Sequence, residues 1–200
     1  MLEIEALPFF TFILVTTFTP GPNNISSATM GLNLGYRKSL PYLLGILFGV
    51  AAVTFSCGLL FGSLVNVIPV LAQWLRWFGA VYILWLAWGT LRATWPVEGI
   101  EAASTRMGFT RGVFLQLLNP KLFVFAISLF ATFLQPLAGK PLPLLLAVLL
   151  LGVIDFTSIS LWTLCGAALS KHLGDIKVRK AVNACLSLLL VYTAVAILQI

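Results

Sequence analysis

The sequence predicts an all-α integral membrane protein of six transmembrane helices, arranged as two inverted three-helix repeats in which helices 1 and 4 are interrupted. Of the 200 residues, 60% are hydrophobic and only 9% are charged, whereas soluble domains are roughly 45–50% apolar and about 25% charged. The apolar residues form long runs joined by short polar connections, as membrane-spanning helices require. Two of these runs contain prolines and amides near their middle.

The first apolar run is broken by the stretch Thr19–Asn24, which reads Thr-Pro-Gly-Pro-Asn-Asn. Proline removes a backbone donor and clashes with the preceding turn, and in hydrocarbon the freed groups need partners from protein or water. We therefore interpret Leu7–Leu34 as one interrupted span whose break faces a protein-lined cavity near the midplane. The alternative is a loop at which the first hydrophobic segment ends.

The next two segments are predicted at Tyr42–Leu64 and Leu71–Leu91, after a loop marked by the basic pair at positions 37–38. Gly45 and Gly49 have the spacing of a helix-contact face, in which small residues let two backbones approach. Tryptophans near both ends of the third segment are typical of anchoring at the membrane interface.

The fourth segment, Phe114–Leu134, is interrupted by Asn119, Pro120 and Lys121. Asparagine is a favoured N-cap, and proline is favoured as the first residue of a helix. The sequence therefore predicts that Asn119 caps a half-helix beginning at Pro120.

The fifth segment is predicted at Leu142–Leu169 and contains Asp155, the one carboxylate far from a segment end. A basic loop over Lys171–Lys180 then leads to the sixth segment, Ala181–Ile200. His172 in this loop is predicted to be solvated.

The polar connection Arg92–Arg111 divides a single transmembrane domain, 1–200, into repeats of about 1–95 and 106–200. Because each repeat has three spans, the two must enter the membrane in opposite orientations. This is the arrangement of many secondary transporters, whose sites lie where interrupted helices meet at the midplane.

Several other classes of protein fit poorly. The acidic start, Met1–Glu5, does not resemble a cleaved signal peptide, and the cations lie in short loops, which argues against nucleic-acid binding. The cysteines at positions 57, 165 and 185 fall in apolar segments and are predicted to be small buried hydrophobes, with no metal site. An intramembrane enzyme would need a metal cluster or an activated nucleophile, which the sequence does not indicate.

Three motifs in this order resemble the LysE/RhtB family of bacterial inner-membrane amino-acid exporters: the Thr19–Asn24 stretch, the run Gly79–Leu86 and the stretch Gly108–Lys121. The adjacent amides Asn23 and Asn24 look most like the cysteine/O-acetylserine branch, since other members often have an acidic residue there. The resemblance implies a secondary exporter of small neutral amino acids, of the cysteine, O-acetylserine or homoserine/threonine type. We expect transport to be proton-driven and to need no cofactor, and a homo-oligomer stays open.

Such a substrate is a zwitterion, so its site needs partners for a carboxylate and for an ammonium group. The half-helices after the two breaks would offer free N–H groups and positive dipole ends, and Lys121 adds a full charge. The substrate-binding residues predicted on this basis are Pro20, Gly21, Pro22, Asn23, Asn24, Gln116, Asn119, Pro120 and Lys121. Ser26 and Ser27 are weaker candidates.

Asp155 is the predicted proton-coupling residue, because a carboxylate in a membrane cavity can take up and release a proton. Three alternatives stay open at this point. Lys121 could snorkel to the cytoplasmic surface, or it could form a static ion pair with Asp155. Asn23 and Asn24 could satisfy the broken backbone instead of binding substrate. A structural or assembly subunit is the rival function, although buried polar breaks would then have no purpose.

The distribution of cations predicts that both termini are extracytoplasmic. With six spans and an outside N-terminus, two loop cations lie outside, Arg76 and Lys140. Nine lie on the cytoplasmic side, as the positive-inside rule requires: Arg37, Lys38, Arg92, Arg106, Arg111, Lys171, Lys177, Arg179 and Lys180. We expect a reporter fused after Ile200 to indicate that the C-terminus lies outside the cytoplasm. A cytoplasmic C-terminus combined with an external N-terminus would mean that one predicted segment does not cross.

Overall fold

The computed structural model describes residues 6–92, 104–172 and 176–199, and throughout these ranges the regular structure is helical. A π-helical turn, Phe130–Leu134, and a 3-10 turn, Gln135–Leu137, prolong the fifth helix. Within the described ranges the α-helices are α1 (Ala6–Phe18), α2 (Pro22–Leu59), α3 (Phe61–Arg92), α4 (Ser104–Leu117), α5 (Pro120–Leu129), α6 (Pro141–His172) and α7 (Ile176–Gln199).

Three stretches of the described chain are long and apolar enough to cross a bilayer: Pro22–Leu59, Pro120–Leu137 and Pro141–Ser170. Leu7–Phe18 and Lys180–Val195 are apolar but shorter. Many large apolar side chains on the outer helix faces are exposed, as expected where lipid would surround the helices. The all-helical fold is thus confirmed and is consistent with a membrane protein, while the six-span inverted repeat stays a prediction.

Both predicted interruptions are present. α1 ends at Phe18 and α2 begins at Pro22, so the first break is short. In the second break, the Asn119 side chain accepts a hydrogen bond from the backbone N–H of Lys121 at 3.1 Å, and Pro120 is the first residue of α5. The predicted cap of the second half-helix is therefore confirmed.

The loop predicted at Arg37 and Lys38 is wrong, because α2 continues through this pair. The chain instead turns at Gly35, whose φ of 74° and ψ of 168° are non-helical. A positive φ is accessible to glycine because it has no Cβ. We call residues 22–34 the N-terminal arm of α2 and residues 36–59 its C-terminal arm.

The other polar connections are also shorter than predicted. α4 begins at Ser104, so Arg106 and Arg111 lie on a helix, while Glu98 and Glu101 lie outside the described residues. α6 continues to His172, and the side chain of that histidine is likewise outside the described part of the structure. Polar residues at helix ends can prolong a helix into the interfacial zone, which the apolar pattern alone does not show.

α2 is the central element. Its N-terminal arm packs against α6 and its C-terminal arm packs against α4, while α3 packs against α7. One apolar cluster centres on the C-terminal arm of α2, including Tyr42 and Ile46. A second joins α1, α5 and α6 through Ile13, Leu129 and Leu144.

The two arms of α2 touch their partners at glycines. A Cβ on Gly31 would lie 2.0 Å from the Thr163 carbonyl oxygen, and one on Gly166 would lie 2.1 Å from that of Ala28. On the other arm, a Cβ on Gly45 would lie 2.1 Å from the Phe109 oxygen. Because only glycine permits backbones this close, the predicted glycine contact face is confirmed at Gly45.

The prediction of three buried cysteines is wrong for two of them. Cys57 is buried, but Cys165 and Cys185 are exposed on the outer faces of their helices. In a membrane helix an apolar neighbourhood in sequence does not distinguish burial in protein from contact with lipid.

Alanine at Gly45 should destabilise the protein, because its Cβ would overlap the Phe109 carbonyl and force α2 and α4 apart. We expect a loss of about 1–3 kcal/mol of folding free energy, typical of overpacking, seen as earlier thermal unfolding in detergent. Gly89→Ala is the matched control, since a Cβ there meets nothing within 4 Å and alanine favours the helix. Equal unfolding temperatures for the two variants would contradict the close crossing.

Candidate functional site

The two helix breaks meet through their side-chain amides. Asn23 Oδ1 accepts hydrogen bonds from Gln116 Nε2 at 2.8 Å and from Asn119 Nδ2 at 3.1 Å. Gln116 is fully buried and Asn119 is 3% exposed. One side chain from the first half of the chain thus joins two from the second half.

The orientation of this network follows from the backbone. Because Asn119 Oδ1 accepts from the Lys121 N–H, its Nδ2 group is the side that faces Asn23. Asn23 therefore acts as an acceptor toward both neighbours.

Asn24 has the opposite role. Its Nδ2 group donates to the carbonyl oxygens of Thr17 at 2.9 Å and Thr19 at 3.0 Å. These carbonyls lie at the C-terminal end of α1, where helical partners run out. Ser158 Oγ on α6 also donates to Thr17 O at 3.1 Å. Asn24 thus satisfies the broken backbone, which is one of the two roles considered from the sequence.

The N-termini of the two half-helices differ. At α5 the Asn119 side chain caps the helix, so the Lys121 N–H is already bonded. At α2 the N-cap residue is Gly21, and no side chain caps the helix. The expectation that both termini offer free N–H groups therefore holds better for α2 than for α5, and an anion would find its backbone donors at α2.

A cavity of about 60 Å³ lies beside this junction, between α1, α2, α5 and α6. Since one water needs roughly 10–15 Å³ of such volume, the space is large enough for several waters or a small polar group. Its lining comprises Ile13, Thr16, Thr17, Gly21, Pro22, Asn23, Asn24, Val50, Thr54, Asn119, Lys121, Leu122, Phe125, Val148, Leu151 and Asp155.

Lys121 and Asp155 are the two charged residues of this lining. The Lys121 ammonium donates to the Thr19 carbonyl oxygen at 3.3 Å, and its Nζ would lie 3.0 Å from a Cβ placed on Gly21. Lys121 therefore points into the first break instead of snorkelling to a membrane surface. The Oδ2 atom of Asp155 is buried and has no hydrogen-bond partner within the described chain.

Most of the predicted site residues come together at this cavity, but three do not line it. Gln116 lies behind Asn23 and bonds to it, Pro120 is buried within the start of α5, and Pro20 is exposed. Ser26 donates to the backbone oxygen of Asn23. Ser27 is not part of this lining, and its buried hydroxyl has no hydrogen-bond partner among the described residues.

Sequence reasoning missed the threonines of the lining. Thr16 and Thr17 directly precede the first break, so their position in the sequence could have marked them as candidates for the lining. Thr54 lies far from either break in an apolar helix, and nothing in its sequence neighbourhood marks it.

The chain is similar to known transporters along almost its whole length. The sequence model of the LysE type translocator family matches residues 14–199. The cysteine/O-acetylserine efflux protein of Salmonella choleraesuis is 34% identical over 192 residues, covering 94% of this chain and 95% of that protein. The proteins of the same name from Klebsiella pneumoniae and Shigella flexneri are 34% and 31% identical, with 94% and 98% of this chain covered and 94% and 99% of theirs. No solved structure is significantly similar to the chain.

The two adjacent asparagines should respond oppositely to aspartate. Asn23→Asp keeps an acceptor for Gln116 and Asn119 and places its charge in the cavity that Lys121 also lines, so the protein should stay folded. Asn24→Asp replaces a donor by an acceptor facing two carbonyl oxygens, which leaves buried groups unpaired at about 1–3 kcal/mol each. Thermal unfolding and expression of the two purified variants check this. A less stable Asn23→Asp than Asn24→Asp would contradict the assigned roles.

Proposed function

Because the chain belongs to the LysE type translocator family, we propose that it is a secondary exporter of small neutral amino acids, of the cysteine or O-acetylserine type. The curated relatives are named as cysteine/O-acetylserine efflux proteins. The main structural support for this proposal is the cavity beside the two helix breaks, whose lining includes one cation, Lys121, and one carboxylate, Asp155.

The substrate carboxylate binds at the first break. Gly21, Pro22 and Asn23 form the uncapped start of α2, where backbone N–H groups and the positive end of the helix dipole favour an anion. The Lys121 ammonium lies against Gly21 and supplies the counter-charge. A carboxylate here would replace the Thr19 carbonyl as a partner of that ammonium.

The apolar part of the lining supports a substrate with a small uncharged side chain. A charged side chain placed against these residues would lose its water without a partner, which is costly. The side chains concerned are Ile13, Val50, Leu122, Phe125, Val148 and Leu151.

Asp155 couples export to protons in this proposal. Its partly buried carboxylate lines the same cavity as Lys121, and ionisable groups within membrane segments commonly mark ion pathways. After the substrate has left, a proton would enter the site from outside. Its release to the cytoplasm would complete the return of the carrier to its inward-facing state.

The transport cycle is proposed to use six spans in the bacterial inner membrane, as two oppositely oriented repeats with both termini in the periplasm. The two interrupted stretches, α1 to α2 and α4 to α5, would then approach the midplane from opposite sides. The direct hydrogen bonds of Asn23 to Gln116 and Asn119 support this reading, because they join corresponding breaks of the two halves.

Lys121→Met and Asp155→Asn should separate binding from coupling. Lys121→Met removes the counter-charge of the carboxylate, so efflux of labelled cysteine from loaded proteoliposomes should fall at least tenfold, as charge-assisted bonds predict. Asp155→Asn cannot ionise but keeps an amide oxygen as an acceptor, so proton-driven flux should be lost while exchange of substrate across the membrane persists with weaker binding. Lys140→Met, at an exposed turn, is the matched control for loss of a lysine.

The same assay, run with and without a pH gradient, shows which part of the proposal fails. Wild-type protein that moves no amino acid from a panel including cysteine and O-acetylserine would overturn export itself. If Asp155→Asn shows gradient-driven flux at the wild-type level, only the coupling role of Asp155 is overturned.

A further inference from the structure

Thr54 differs from many of the described threonines in what its hydroxyl does. Its side chain is 1% exposed and lines the cavity, yet Oγ1 has no hydrogen-bond partner within the described chain. Helical threonines commonly donate to the carbonyl one turn earlier. Seven described threonines do so here: Thr16, Thr19, Thr29, Thr90, Thr157, Thr163 and Thr193.

A second buried polar atom in the same lining also lacks a partner, the Oδ2 of Asp155. The two residues come from different helices, Thr54 from the C-terminal arm of α2 and Asp155 from α6. Leaving a buried polar atom unpaired costs free energy. Because both residues line one cavity, the two atoms indicate a ligand that bonds to both.

We propose that Thr54 Oγ1 and Asp155 Oδ2 together form the subsite for the ammonium group of the substrate. This inference rests on the proposed function and deepens it, because it assigns the second end of the zwitterion and adds Thr54 to the site. An α-ammonium has three donors and no acceptor. A carboxylate oxygen and a hydroxyl oxygen are suitable acceptors for two of them.

The position of the subsite fits the other half of the zwitterion. Lys121 and the start of α2 line the cavity together with Asp155 and Thr54, so one small molecule can face the cationic and the anionic groups together. The carboxylate and the ammonium of an α-amino acid are attached to the same carbon, which suits a cavity of about 60 Å³. A molecule with only one of these charges leaves one subsite unpaired.

The subsite also gives coupling a simple basis. The Asp155 carboxylate can hold either a proton or the substrate ammonium, so substrate binding to the protonated form releases one proton. The other charged side chain of the lining is Lys121, whose ammonium bonds to the Thr19 carbonyl oxygen. Exchange of the two cations at one oxygen would link outward movement of substrate to inward movement of a proton.

The test compares Thr54→Val with Thr54→Ser in the purified full-length protein. Binding of labelled cysteine under reducing conditions, and its competition by 3-mercaptopropionate, which lacks the ammonium, are measured for each. We expect Thr54→Val to weaken the affinity for cysteine about tenfold. The affinity for 3-mercaptopropionate, obtained from the competition experiment, should stay unchanged. Thr54→Ser keeps the hydroxyl and should bind cysteine like the wild type.

Thr90→Val is the matched control, because Thr90 is also buried but its hydroxyl is bonded to Leu86 O on α3. If Thr54→Val does not fold, Thr54→Ala removes the same hydroxyl with a smaller side chain and decides the result. Unchanged cysteine binding in the hydroxyl-free variant, or an equal loss for both ligands, would overturn the subsite. Wild-type protein that binds no amino acid would instead overturn the proposed function.

Discussion

The structure depends on the need to satisfy backbone groups where two membrane helices are interrupted. Hydrocarbon offers no partners for these groups, so protein side chains must supply them. At the end of α1, Asn24, Ser158 and Lys121 donate to the Thr17 and Thr19 carbonyls. At the start of α5, Asn119 caps the helix. This requirement gathers polar residues from α2, α5 and α6 at one place.

The two breaks differ in how fully their backbone groups are hydrogen-bonded, and this difference leaves groups free to form a site. α5 has a side-chain cap, whereas α2 starts at Gly21 without one. Asn23 lies inside the first turn of α2, two residues after the N-cap position, and its oxygen is committed to Gln116 and Asn119. The uncapped start of α2 and Lys121 therefore share one lining with Thr54 and Asp155, each of which has an oxygen without a partner in the described part of the chain. Hydrogen-bonding groups that the fold does not use are available to a ligand.

The parts of this arrangement that follow local chemical rules could be predicted from the sequence. Pro20, Pro22 and Pro120 mark breaks because proline lacks an N–H, and Asn119 before a proline marks a cap. The turn at Gly35 could not be distinguished from the other glycines, since a positive φ depends on how α2 packs against α4 and α6. The opposite roles of Asn23 and Asn24, and the place of Thr54, depend on side chains distant in sequence and were likewise not predictable.

Two kinds of contact hold the cavity walls, and they differ in rigidity. The arms of α2 touch α6 and α4 through backbone atoms at Gly31, Gly45 and Gly166, where no side chain can adjust. α1 is held through side chains, including the stacked rings of Phe12 and Phe125 at 5.6 Å. Side-chain contacts can exchange rotamers, whereas touching backbones can only separate as units. We therefore expect the cavity to open at the least cost by movement of α1 against the frame that α2 forms with α4 and α6.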